Sequence, residues 1–163
     1  MPLRLEDKKV LVAEVNSVAA EAHSAVAAEY SGLTVEQMTK LRRDARNAGV
    51  YLRVVKNTLA RRALEGTDFE CMNDGLKGPL ILGFSQEDPG AAARVFKEFA
   101  KDNDKLVTQL VSIGGTAMPG SELDRLASLP TLDQARAMLL GVLQAPAVKL
   151  VLKLNEPGAA LAR

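Results

Sequence analysis

One cysteine, Cys71, and one histidine, His23, are all that the 163-residue sequence has of either type. A lone cysteine excludes an internal disulfide and a cysteine-rich metal site. Nothing in the chain asks for an oxidising compartment. Cys71 has no basic neighbours that would activate its thiol, so it reads as buried or inert. His23 falls in an expected strand with no nucleophilic partner evident, and reads as structural. No Gly-Lys-Ser/Thr signature occurs, so Gly114-Gly115 is not a phosphate loop. Metal-ligand spacing is also lacking, and no cofactor is expected. The opening "MPLRLEDKKVLVAEV" mixes Glu6 and Asp7 with Lys8 and Lys9, and Glu14 breaks its apolar run. That is not a secretory signal, and a cytoplasmic chain is expected.

What is present is a core-forming composition, 47% apolar, and an uneven charge. The net charge is +1. Residues 40–62 alone carry eight basic side chains against one acidic, a net of +7, while the segments on either side are each −3. Such asymmetry points to a localised anionic partner.

The elements read as follows. Residues 5–22 form a helix and 23–31 a strand. In "SGLTVEQMTKLRRDARNAG", Thr34 and Gln37 make a capping box. Val35, Met38, Leu41, Ala45 and Ala48 recur at helical spacing, and Gly49 ends the run. Residues 50–55 are a strand, and Asn57 is the expected N-cap of the next helix. A buried strand spans 78–85. A helix follows, with Asp88 as N-cap and Pro89 at its first position. Another strand covers 105–115, and a short helix runs from Pro119 to Leu129. The order suggests one layered α/β domain, an α+β sandwich. A ferredoxin-like mixed sheet with packed helices fits the count. The expected division is a globular unit over 1–130 and a C-terminal helical extension over 131–163.

The cations sit around a strand-to-helix corner. A helix start leaves backbone N–H groups unpaired and attracts phosphate. Lys56 and Asn57 stand at that start, with Arg61 and Arg62 about a turn along and Arg53 on the strand before. The face carrying Lys40, Arg43 and Arg46, with Arg42 at its boundary, widens the patch if the two helices pack side by side. One phosphate does not need so many cations, whereas a polyanion does. Only Tyr51 lies inside the patch and Tyr30 near it. This argues against base stacking on a single strand and for folded RNA or duplex held through backbone and shape.

The segment 138–154 has twelve apolar residues in seventeen, with only Lys149 and Lys153 charged. Its apolar positions fall all round a helix, which must therefore be covered by something. The run is too short, and too interrupted by Pro146 and the two lysines, to be a membrane span, so no membrane partner is expected. Pro146 and Pro157 divide the tail into blocks that suit repeated docking of partner helices.

The stretches "SGLTVEQMTKLRRDARNAGVYLRVVKNTLARRAL", "GPLILGFS", "DPGAAARVFKEFAK" and "LASLPTLDQARAMLLGVLQAPAVKLVLKLNEPGAAL" together resemble the bacterial ribosomal protein L10 family, over nearly the whole chain. The resemblance implies an α/β domain that binds the GTPase-associated region of 23S rRNA beside ribosomal protein L11. It also implies a C-terminal helix carrying dimers of the acidic stalk protein L7/L12, which recruit translational GTPases, and translational repression of the family's own operon. By position, the RNA-facing motif falls on Gly32, Thr34, Lys56, Asn57 and Thr58. Charge adds Arg42, Arg43, Arg46, Arg53, Arg61 and Arg62. The stalk-binding positions fall on Leu139, Leu140, Leu143, Val148, Leu150, Val151, Leu154 and Leu161. Two departures stand out: Ser31 replaces the basic residue that often precedes Gly-Leu-Thr, and the family pattern implies a third block running past Arg163. The rivals are a free RNA-binding regulator and a small phosphate-binding enzyme built on the Asn57 helix start.

Overall fold

The computed structural model describes residues 4–86, 88–103 and 105–161, with side chains as far as Lys153. The chain divides into two compact units, Met1–Leu129 and Pro130–Arg163.

The first unit is built on a five-stranded sheet. Its elements in chain order are α1 (Leu5–Glu21), β1 (Ser24–Glu29), α2 (Val35–Asn47), β2 (Val50–Val54), α3 (Asn57–Leu64), β3 (Leu80–Ser85), α4 (Ala91–Asp102), β4 (Val107–Ile113), β5 (Thr116–Pro119) and α5 (Leu123–Ala127). The strand order is β2-β3-β1-β4-β5. The first four strands of that order are the ferredoxin-like split βαβ arrangement. Every pairing is antiparallel, so the sheet is not the mixed one expected. The reason lies in the crossovers. The connection through α2 links two parallel strands, but β3 lies between them, and β1 likewise separates β3 from β4.

Helices cover both faces, which gives three layers. Alternation along the central strands decides which side chain meets which layer. Val26 and Ala28 of β1 join Leu41, Ala45, Phe96, Phe99 and Leu126 from α2, α4 and α5. Ala25 and Ala27 join Val15, Ala60, Leu64, Phe69 and Phe84 on the α1–α3 side. The central strands are therefore buried on both faces, and β3 is buried throughout. Gly83 of β3 is required by packing: a Cβ there would stand 2.6 Å from Phe96 Cε2.

Local signals explain most boundaries. Thr34 and Gln37 form the capping box, with bonds of 2.9 and 3.3 Å. Gly49, at φ +67°, turns the chain from α2 into β2. The α2 stripe is narrower than its spacing predicts. Leu41 and Ala45 are buried, whereas Val35 is 83% exposed. The α4 helix starts at Ala91, two residues beyond Pro89, with Gly90 as N-cap. One strand went unread. Ile113 pairs with Thr116 across Gly114-Gly115, both at positive φ, which is the signature of a two-residue hairpin turn. His23 lies just ahead of β1 and is exposed, its N–H donating to the Ser85 carbonyl at 2.9 Å. Cys71 is exposed, not buried, beside the Ser112 hydroxyl at 3.4 Å.

The second unit contains one helix, α6 (Leu132–Leu161), 30 residues long and so about 45 Å. Thr131 and Gln134 form a second capping box, with bonds of 3.2 and 3.4 Å. The helix runs through Pro146 and Pro157 without a break, so the prolines do not divide the tail into separate blocks. Each proline removes one backbone bond, and the turns on either side carry the helix past the gap.

A candidate nucleic-acid interface

Strands β1 and β2 both run antiparallel to β3, so their C-terminal ends meet at one end of the sheet. The Gly32–Thr34 turn follows β1 there, and Lys56–Thr58 follows β2. The two positional motifs, more than twenty residues apart, are thus brought to the same end. Gly32 takes φ +84°, and the Leu33 N–H closes the turn onto the Tyr30 carbonyl at 3.2 Å. A shallow crevice at this end is lined by Tyr30, Val54, Lys56, Asn57, Thr58 and Pro79.

The corner itself differs from expectation. Lys56, not Asn57, is the N-cap of α3, and no side chain caps the helix. The Asn57 amide turns away and donates to the Gly78 carbonyl at 2.9 Å and to Leu76 at 3.4 Å. Arg61 donates to the same Leu76 carbonyl at 3.2 Å. Two chemically apt RNA contacts thus hold the loop before β3. Lys56 stays exposed beside first-turn N–H groups that no side chain satisfies, the arrangement that favours phosphate.

The remaining cations sort by their neighbours. The two basic helices do not lie side by side: α2 packs on one face of the sheet and α3 on the other. The strand that joins them in the chain, β2, is an edge strand. A groove along that edge is lined by Arg42, Arg46, Tyr51, Arg53 and Val54. Arg53 is held there, its guanidinium against the Glu14 carboxylate and 3.0 Å from the Tyr51 oxygen. The Tyr51 hydroxyl donates to Glu14 at 2.7 Å. Burial pushes the Tyr51 phenol above its ordinary range, and the bond to Glu14 adds to this. The Tyr51 hydrogen bond likewise raises the Arg53 guanidinium. Both groups keep their protons at neutral pH, and Glu14 offsets the Arg53 charge.

Lys40 turns toward α4 and pairs with Asp102 at 3.2 Å, and Arg43 approaches Asp44 at 3.8 Å. Arg62 lines a separate groove between α1 and α3 with Leu5, Lys8, Lys9 and Val12. Among the described residues, no ion pair engages Arg42, Arg46, Lys56 or Arg62. Of the cations that the sequence places at the sheet end and the β2 edge, Arg42, Arg46 and Lys56 are therefore exposed and, among the described residues, free of ion pairs. Two exposed lysines at the same end, Lys77 and Lys105, escaped the sequence reading. They lie outside the 40–62 run, and only the sheet topology brings them near.

On α6, Leu139, Leu140, Leu143, Val148, Leu150 and Val151 are each more than half exposed. Leu154 and Leu161 fall where side chains lie outside the described residues. By length and composition Leu132–Lys153 is sufficient to cross a membrane, contrary to the expectation drawn from 138–154 alone. An apolar surface of this extent marks a site that something covers.

Comparison with known proteins identifies what kind of chain this is. Residues 4–101 match the family described as "Ribosomal protein L10", and residues 129–163 match "Ribosomal protein uL10 C-terminal region". The large ribosomal subunit protein uL10 of Thioalkalivibrio sulfidiphilus is 64% identical over 159 residues, 97% of this chain and 90% of that protein. That of Methylococcus capsulatus is 66% identical over 151 residues, 93% of this chain and 86% of that protein. That of Nitrosococcus oceani is 57% identical over 163 residues, all of this chain and 88% of that protein.

Proposed function

From its membership of the ribosomal protein L10 family, which makes this chain a structural protein of the large ribosomal subunit in the bacterial cytoplasm, we propose a division of labour between its two units. The α/β unit grips the GTPase-associated region of 23S rRNA, next to ribosomal protein L11. The helix α6 carries dimers of the stalk protein L7/L12, and these recruit translational GTPases. The same RNA-binding surface serves to repress translation of the protein's own operon. The role is non-enzymatic.

The observation that carries the RNA reading is the trio Arg42, Arg46 and Lys56, exposed and, among the described residues, free of ion pairs along the β2 edge and the sheet end. A folded RNA presents phosphates at intervals along such a line, and backbone contacts of this kind position without reading bases. The rival phosphate enzyme needs a donor at the α3 start and a general acid or base beside it. Lys56 and the open first-turn N–H groups suit one phosphate, but the exposed cations continue along the β2 edge through Arg42 and Arg46, more than one phosphate needs.

The α6 reading rests on exposed leucines and valines around the whole helix. Burying one such side chain contributes about 1.5–3 kcal/mol, so Leu143→Ala lowers stalk-protein affinity by roughly ten- to a hundredfold. The experiment is a pair of bindings with one full-length chain and one ending at residue 137. Both are titrated with a transcript of the GTPase-associated region and, separately, with L7/L12. The shortened chain keeps RNA binding and loses L7/L12. Retention of L7/L12 by the shortened chain refutes the assignment of α6.

A further inference from the structure

Asn57 and Arg61 both donate to the carbonyls that flank Lys77: Asn57 to Gly78 at 2.9 Å and Arg61 to Leu76 at 3.2 Å. The Lys77 N–H closes onto the Gly75 carbonyl at 2.9 Å. Lys77 is thus presented on a loop fixed on both sides, with its side chain exposed. Across the sheet end, the Lys105 stem lies over the Gly32 turn, its Cδ 3.5 Å from where a Gly32 Cβ would stand. Among the described residues no ion pair engages either lysine.

We propose that Lys77 and Lys105 are further phosphate-binding residues that carry the RNA footprint across the sheet end from α3 to the start of β4, and that Asn57 and Arg61 are positioning residues for Lys77. The proposal rests on the RNA reading above and refines it. It assigns Asn57 a different part from direct contact. The amide nitrogen has both of its donors engaged within the protein, and what it fixes is the cation that follows Leu76. The Lys105 stem packs over the Gly32 turn at a distance that an added Cβ would meet only in ordinary van der Waals contact.

The test is salt-dependent binding of the full-length protein to a transcript of the GTPase-associated region. The variants are Lys77→Ala, Lys105→Ala, Lys56→Ala and Asn57→Ala, with Lys97→Ala as control because Lys97 is paired with Asp124 at 2.9 Å. Lys77→Ala and Lys105→Ala each lower the slope of log affinity against log salt by about one. Lys97→Ala leaves it unchanged. Asn57→Ala weakens binding in the parent chain and has no further effect once Lys77 is alanine. Unchanged slopes for Lys77→Ala and Lys105→Ala, with a reduced slope for Lys56→Ala, overturn the proposal and leave the RNA reading standing. An unchanged slope for Lys56→Ala as well overturns both. Lys77 and Lys105 are exposed, so their variants report even if Asn57→Ala fails to fold.

Discussion

Replacing Arg42, Arg46 and Lys56 together by alanine removes three exposed cations of the 40–62 run, at the sheet end and the β2 edge, that no ion pair engages among the described residues. If each neutralises one phosphate, counterion release gives about 0.7–0.9 unit of salt slope per contact. The triple variant therefore loses about 2–3 units. Over a fourfold rise in salt, that corresponds to roughly a 20- to 40-fold difference in how much affinity falls. A matched variant replaces Lys40, Arg43 and Arg53. It removes the same formal charge, but these side chains already face Asp102, Asp44 and Glu14. The Lys40 and Arg43 pairs are exposed and contribute at most about 1 kcal/mol each to stability; the Arg53–Glu14 pair is half-buried, so a thermal midpoint near the parent's checks that the matched variant folds. Its slope falls by less than about one. Filter binding of the rRNA transcript between 50 and 200 mM salt, at roughly the range where such slopes are read, measures both. Equal losses in the two variants refute the reasoning, because charge count alone would then decide binding and the pairing would be irrelevant.

Three predictions concern the fold that holds the surface. Thr34→Ala removes one partner of the capping box and costs about 1 kcal/mol, visible as a lower thermal midpoint. Gly83→Ala forces a methyl against the Phe96 ring and costs about 1–3 kcal/mol; Phe96→Leu in the same chain restores part of the loss in denaturant titration. Tyr51 has a raised pKa in the fold, so its contribution to stability is complete below the ordinary tyrosine value of about 10 and disappears as pH rises through the folded value. Stability of the parent chain therefore declines more steeply above about pH 10 than that of Tyr51→Phe, measured by denaturant titration at a series of pH values.

Local devices were legible in the sequence, and long-range ones were not. The Thr34–Gln37 box could be read because its partners lie three residues apart, and the ferredoxin-like order followed from the succession of strands and helices. The hairpin to β5 was within reach, since Gly114-Gly115 permits the two positive φ values that such a turn requires. It was missed because the strand was extended through the pair to residue 115, and the pair was otherwise weighed as a phosphate loop. Asn57 looked like an N-cap by residue type, but carbonyls 19 and 21 residues away take its amide. Arg53 is drawn to Glu14, 39 residues back, and Lys40 to Asp102, 62 residues on. Partners at such separations are set by the sheet order and have no local pattern. The charge run at 40–62 thus located the basic region, while tertiary pairing decided which of its members remain available. Continuity of α6 was hidden for another reason: two prolines signal breaks, yet a capped helix of 30 residues tolerates the loss of two backbone bonds.

The most direct measurement is lysine- and arginine-to-RNA crosslinking, read by mass spectrometry, on large ribosomal subunits containing this protein. The account predicts crosslinks at Lys56 and along Arg42 and Arg46, and none at Lys97, which faces Asp124 on the α4 side. Crosslinks concentrated on α4, with Lys56, Arg42 and Arg46 unmodified, would contradict it.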